Sequence, residues 1–168
     1  MVNIRYKKLD EKAVEPYRKF DVDAGFDLTA VRKEETDKFT VYGTGIALEI
    51  PVGYVGLMFP RSSVTNKDLM LKNCVGVVDA SYRGEIMCRF AKYHHDMWME
   101  YDTPDDGHEE RYIPNIDIKP VVRDAEYYEI GDRVCQMVFI KLPDVQLVES
   151  EELTETERGT AGYGSSGK

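Results

Sequence analysis

Apolar positions along this chain recur mostly at a period of two. Six short segments, residues 4–9, 39–42, 45–50, 54–59, 84–90 and 134–140, are rich in Val, Ile, Tyr and Phe and are punctuated by Gly, Pro or Asp. That is the pattern of half-buried strands joined by turns. No segment carries a long stripe at 3.6-residue spacing. The one helical candidate is a turn or two at residues 62–67 after Pro60, with serines placed as N-terminal caps. The predicted class is therefore all-β, a sandwich or jelly roll with one short helical segment. Two stretches depart from this rhythm. Residues 93–115 carry seven acids against one base, Arg111, and hold the single tryptophan, Trp98. Residues 158–168, RGTAGYGSSGK, hold four glycines, which leave little side-chain surface to bury and carry a large backbone entropy cost. Such a tail needs a partner to order it. The predicted organisation is a β domain over residues 1–157 and a mobile tail over 158–168.

Composition narrows the choice of partners. The 168 residues are about one domain's worth of chain. Lys plus Arg number 22 and Asp plus Glu 31, a net charge of −9, so the overall field repels nucleic acid and anionic membranes, and neither is expected as a partner. The longest uncharged run, residues 50–60, is far below the roughly 20 apolar residues of a membrane-spanning helix. The first residues, MVNIRYKKLDEK, alternate charged with apolar positions and contain no apolar signal core, so the expected location is cytoplasmic. Cys74, Cys88 and Cys135 are odd in number and widely spaced, which reads as reduced packing thiols. His94, His95, Asp96, His108, Glu109 and Glu110 lack a metal-ligand spacing, because adjacent histidines on a strand point to opposite faces. They read as a solvated acidic loop.

Five short motifs carry chemistry, each with a bland alternative. DAGFDL at residues 23–28 places two carboxylates around a glycine, fit for a metal or for an ordinary turn. PRSS at 60–63 sets Arg61 and two hydroxyls at a strand-to-helix junction, a weak signal for anion binding that an ordinary cap also explains. NCVGVVDASYRGEIM at 73–87 reads as a β-hairpin whose tip presents Asp79, either a general base or an Asx turn former. GDRVCQMVF at 131–139 joins a turn to a strand bearing Gln136, with Arg133 suited to a structural ion pair. The tail offers backbone N–H groups, hydroxyls and one guanidinium, an inventory suited to phosphate or to a flexible terminus. Its formal match to G-x-x-x-x-G-K is no Walker loop, since no Ser or Thr and no helix follow the lysine.

The order of the five motifs resembles that of the homotrimeric dUTPase family, over residues 23–168. The resemblance implies a jelly-roll fold, three subunits about a three-fold axis with shared active sites, and hydrolysis of dUTP to dUMP and pyrophosphate with Mg2+ on the triphosphate. Asp79 then corresponds to the carboxylate that activates water for attack on the α-phosphorus. Tyr82 corresponds to the ring that packs on deoxyribose and excludes a 2′-hydroxyl. Asn73, with backbone groups through Met87, reads uracil. Arg61, Ser62, Ser63 and Gln136 contact phosphate, and Arg133 makes an ion pair. Asp27 reaches Mg2+ only through water. In the tail, Arg158 grips the γ-phosphate, Tyr163 stacks over uracil, and Gly164, Ser165 and Ser166 donate to phosphates. Tyr163, Ala161 and Ser63 stand where the family more often has Phe, Gly and Gly. Residues 93–115 occupy the place of an insert carried by some phage-type members that bind regulatory proteins, so a protein partner there is an expectation, as is a host cytoplasm if the source is viral.

Two rivals share the fold. A dCTP deaminase needs a glutamate five residues beyond the hairpin glycine, where this chain has Arg89. A regulatory interaction protein that has lost catalysis would have no need of Asp79, Tyr82, Arg158 and the tail ring together.

Overall fold

The structure, a computed structural model, describes residues 2–92 and 126–161. Its strands in chain order are β1 (Arg5–Lys8), β2 (Phe26–Thr29), β3 (Arg32–Glu35), β4 (Thr40–Glu49), β5 (Tyr54–Pro60), β6 (Leu69–Leu71), β7 (Gly76–Val78), β8 (Glu85–Lys92) and β9 (Arg133–Lys141). They form two antiparallel sheets. One runs β1-β4-β8-β6, with β3 also on β4; the other runs β2-β9-β5-β7. The all-β jelly-roll expectation holds. Among the described residues, no helix is long and apolar enough to cross a membrane.

The sheets face each other because their alternating residues do. On β8, Ile86, Cys88 and Phe90 are buried while Met87 and Arg89 point outward. β9 contributes Val134, Cys135 and Met137 from the opposite sheet. Tyr42, Phe90 and Tyr128 stack edge-on or tilted, with ring centroids 5.4–6.0 Å apart. The buried Tyr42 hydroxyl donates to Tyr128 O at 3.0 Å. Burial raises the pKa of both tyrosines above the ordinary phenol value.

Several expectations need correction. Segments 39–42 and 45–50 are one strand, β4, continuing through a bulge at Gly43–Ala47. Residues 26–29, read as part of a turn, are strand β2. The short helical segment exists as a 3-10 helix at Ser62–Asn66, but its N-cap is Arg61 and no serine side chain caps it. Segment 73–87 is not a hydrogen-bonded hairpin: β7 pairs with β5 in one sheet, and β8 with β4 and β6 in the other. The turn between them crosses from sheet to sheet. Cys88 and Cys135 are buried packing thiols, whereas Cys74 is exposed, with φ at +55°. After β9, residues 142–161 form no strand and are exposed throughout; Leu147 and Leu153 stand 94% and 88% exposed.

Candidate active site

A pocket of about 350 Å3 opens at the crossing between β7 and β8. Asn73, Asp79, Tyr82 and Met87, all singled out in the sequence, line it together. So do Lys72, Glu85 and Arg89, to which the sequence reading gave no substrate-binding role. Arg89 thus stands on the pocket wall where a deaminase would keep its glutamate.

Local structure explains the display of these groups. The turn closes through Tyr82 N donating to Asp79 O at 3.0 Å. Arg83 stitches it, donating from one nitrogen to Ala80 O at 2.6 Å and to Tyr82 O at 2.8 Å. The Asp79 backbone therefore serves the turn, while its carboxylate makes no hydrogen bond or ion pair to any described residue and is left for other work. Tyr82 folds back over Gly84 and donates its hydroxyl to Glu85 O at 3.0 Å. Only glycine fits beneath the ring, because a Cβ at position 84 would lie 2.3 Å from the Tyr82 oxygen. Asn73 sits in the tight loop between β6 and β7, where Cys74 takes the left-handed conformation and donates to Leu71 O at 2.9 Å.

A second cluster lies on the β2-β9-β5-β7 sheet. Asp27 accepts from Arg61 Nε at 2.9 Å and from Arg133 Nη1 at 3.2 Å. The Arg133 ion pair read from the sequence is present. Strand register sets Gln136 beside both Asp27 and Phe59, and its amide donates to Pro60 O at 3.1 Å. Gly25 lets Gln136 approach: a Cβ there would lie 2.5 Å from the Gln136 side-chain oxygen. Ser63 Oγ shares a 3.3 Å hydrogen bond with the Tyr128 hydroxyl, and the Ser62 side chain is exposed. Two guanidiniums against one carboxylate leave this cluster net positive, as phosphate requires.

The two groups do not merge in one chain. None of Arg61, Ser62, Ser63 or Gln136 lines the pocket that holds Asp79. Arg158 lies elsewhere again, in an exposed turn where its Nε donates to Ala161 O at 3.2 Å. Tyr163, Gly164, Ser165, Ser166 and residues 93–115 lie outside the described residues.

Comparison with known proteins places this geometry. A family model described as dUTPase matches residues 11–97 and 107–167. A deoxyuridine 5′-triphosphate nucleotidohydrolase of Corynebacterium diphtheriae is 34% identical over 98% of this chain and 92% of its own length. One from Rhodococcus erythropolis is 36% identical over 99% and 87%. The solved dUTPase of Staphylococcus bacteriophage 80alpha with dUPNHPP is similar over the full length of both chains, at 29% identity and a TM-score of 0.72. A mutant dUTPase from phage phi11 of S. aureus, described with a structural Mg(II) ion, has 25% identity and a TM-score of 0.65, over 90% of this chain and 98% of that one.

Proposed function

This chain belongs to the dUTPase family and is a dUTP diphosphatase, and on that premise we propose how its residues divide the work. The observation that carries the reading is the convergence of Asn73, Asp79, Tyr82 and Met87 on one pocket. Asn73 and backbone groups near Met87 read uracil; cytosine would leave buried donors and acceptors unpaired, at about 1–3 kcal/mol for each lost partner. Tyr82 packs on the deoxyribose. The Asp79 carboxylate, without a partner among the described residues, orients a water molecule and takes its proton as the water attacks the α-phosphorus.

Phosphates lie against Arg61, Ser62, Ser63 and Gln136. Because this cluster and the pocket are separate within one chain, the complete site is assembled from neighbouring copies of a homotrimer. The tail of a further copy, with Arg158, Tyr163, Gly164, Ser165 and Ser166, closes over the nucleotide and excludes water. Among the described residues, no group of three or more His, Cys, Asp or Glu side chains could hold a metal ion. The residues fit a Mg2+ carried by the triphosphate, with Asp27 as the nearby hard oxygen group reaching it through water. When bound, the ion supplies neutralisation of phosphate charge.

Pyrophosphate release from dUTP, dCTP, dTTP and UTP, measured with Mg2+ on the wild type and on Asp79→Asn, tests the assignment. The expectation is strong preference for dUTP and loss of turnover in the variant. Full activity of Asp79→Asn would remove the base, and equal rates on dUTP and UTP would remove the role of Tyr82.

A further inference from the structure

The ladder between β4 and β8 is broken directly beneath the turn that displays Asp79 and Tyr82. Gly43 faces Met87 and Ala47 faces Glu85, so β4 spends two more residues than β8 over the same distance. Backbone groups released by such a bulge need other partners. Side chains supply them. Thr44 Oγ1 donates to Ile86 O at 2.7 Å, and Gly45 N donates to Glu85 Oε1 at 2.7 Å. The second Glu85 oxygen accepts from Arg32 Nη2, on β3, at 2.6 Å. A Cβ at position 43 would come 2.7 Å from Arg32 Nη2 and 2.8 Å from Glu85 Oε1, so glycine there lets the pair take this geometry. Glu85 is thereby tied by its side chain to two strands, and by its carbonyl to the Tyr82 hydroxyl. Tyr82 itself is 43% exposed, so little packing restrains its ring.

We infer that the Arg32–Glu85–Gly45 clamp is a specificity-determining positioning unit. It fixes the carbonyl that holds the Tyr82 hydroxyl, and so fixes how near the ring stands to the 2′ carbon of the sugar. The inference rests on the sugar-packing role proposed for Tyr82. Steric refusal of one hydroxyl demands a ring that does not yield: a wall free to move by about 1 Å admits the extra oxygen, and displacements of that size have large kinetic effects. Both oxygens of the Glu85 carboxylate are engaged by the clamp, so its action on substrate passes through Tyr82.

The test measures kcat/KM for dUTP and for UTP in Glu85→Ala, Glu85→Gln, Arg32→Ala and Tyr82→Ala, with thermal unfolding and oligomeric state recorded for each. Preference for dUTP should fall about tenfold in Glu85→Ala and Arg32→Ala, the worth of about one charge-assisted hydrogen bond. Glu85→Gln keeps an acceptor for Gly45 N but turns an amide donor toward Arg32 Nη2, so its preference should fall about as far as in Arg32→Ala. Equal losses on both substrates in Glu85→Ala and Arg32→Ala, with relaxed preference in Tyr82→Ala, would reduce the clamp to a structural brace. Unchanged preference in Tyr82→Ala would instead remove the premise. Arg32 lies on an edge strand with its side chain 55% exposed, so Arg32→Ala serves as the probe if Glu85→Ala fails to fold.

Discussion

Replacing Gly84 by alanine isolates the position of the Tyr82 ring from the stability of the fold. The new Cβ would lie 2.3 Å from the Tyr82 oxygen, 2.5 Å from Cζ and 2.9 Å from Cε2, so the ring must retreat by about 1 Å to reach ordinary carbon contact distances. The backbone is no obstacle, because Gly84 is not among the glycines with positive φ. Nor does the ring leave a void, since it moves from an exposed position into solvent. Losing its hydrogen bond to Glu85 O costs about 0.5–1.5 kcal/mol. Alanine at a compatible position returns about 0.4–1 kcal/mol by restricting the unfolded chain. The two nearly cancel, leaving net stability within about 1 kcal/mol of wild type and a Tm within about 4 °C for a chain of this length. Thermal unfolding should therefore barely move while the ratio of kcat/KM for dUTP over UTP falls at least about tenfold. A variant with unchanged Tm and intact preference would show that sugar selection does not depend on the ring standing over Gly84. A loss of several kcal/mol would show that the turn, rather than the ring, had been broken.

Three other outcomes follow from the geometry. Asp27→Asn leaves Arg61 and Arg133 facing each other without the carboxylate that compensates them, and urea unfolding should register a loss of about 1–3 kcal/mol; unchanged stability would count against a structural ion pair. Burial keeps Tyr42 and Tyr128 neutral beyond the pKa of 10.0 at which an unfolded chain ionises them. The stability they contribute is fully present below that pH and is lost as pH rises through it, at up to about 1.4 kcal/mol per pH unit for each group. Tyr42→Phe should lessen this alkaline slope while costing about 1–3 kcal/mol at neutral pH, since Tyr128 O loses its donor; an unaltered slope would refute the assignment. Deleting residues 158–168 should lower kcat/KM for dUTP by about 10²-fold, and mixing that variant with Asp79→Asn should restore part of the activity through mixed trimers; no recovery on mixing would refute a tail acting on a neighbour.

Strands with clean alternation were legible in the sequence to within about two residues, as at β5, β8 and β9. β3, the sequence RKEE, was invisible because an edge strand with exposed charges has no apolar face to betray it. β2 was hidden for a different reason. Asp27 sits in mid-strand only because guanidiniums 34 and 106 residues away compensate it, and no local pattern reports partners so remote. The crossing at residues 73–87 shows the same limit: alternation marks two strands and a turn, but says nothing of which sheet each strand joins. The pocket residues were nonetheless legible, because Asn73, Asp79, Tyr82 and Met87 come from one continuous stretch. Glu85 and Arg32, separated by 53 positions, could not be.

The separation of the two clusters is the feature that most constrains how this enzyme works. Asp79 and Tyr82 are presented where the chain passes from one sheet to the other, whereas Arg61, Arg133 and Gln136 stand on the sheet that β9 centres. In the proposed mechanism a nucleotide engages the Asp79 carboxylate and the Arg61 and Gln136 side chains together, and an isolated chain offers them in different places. The same chain leaves Val145, Leu147, Val148 and Leu153 between 67% and 94% exposed on a segment with no strand partner, although burying each would contribute about 1.5–3 kcal/mol. On the proposed trimer, the site left incomplete and the aliphatic arm left unburied in one chain are separate deficits that assembly with further copies answers together. On that reading, dilution below the trimer's dissociation constant removes activity and exposes the arm together, so the two observables share one midpoint.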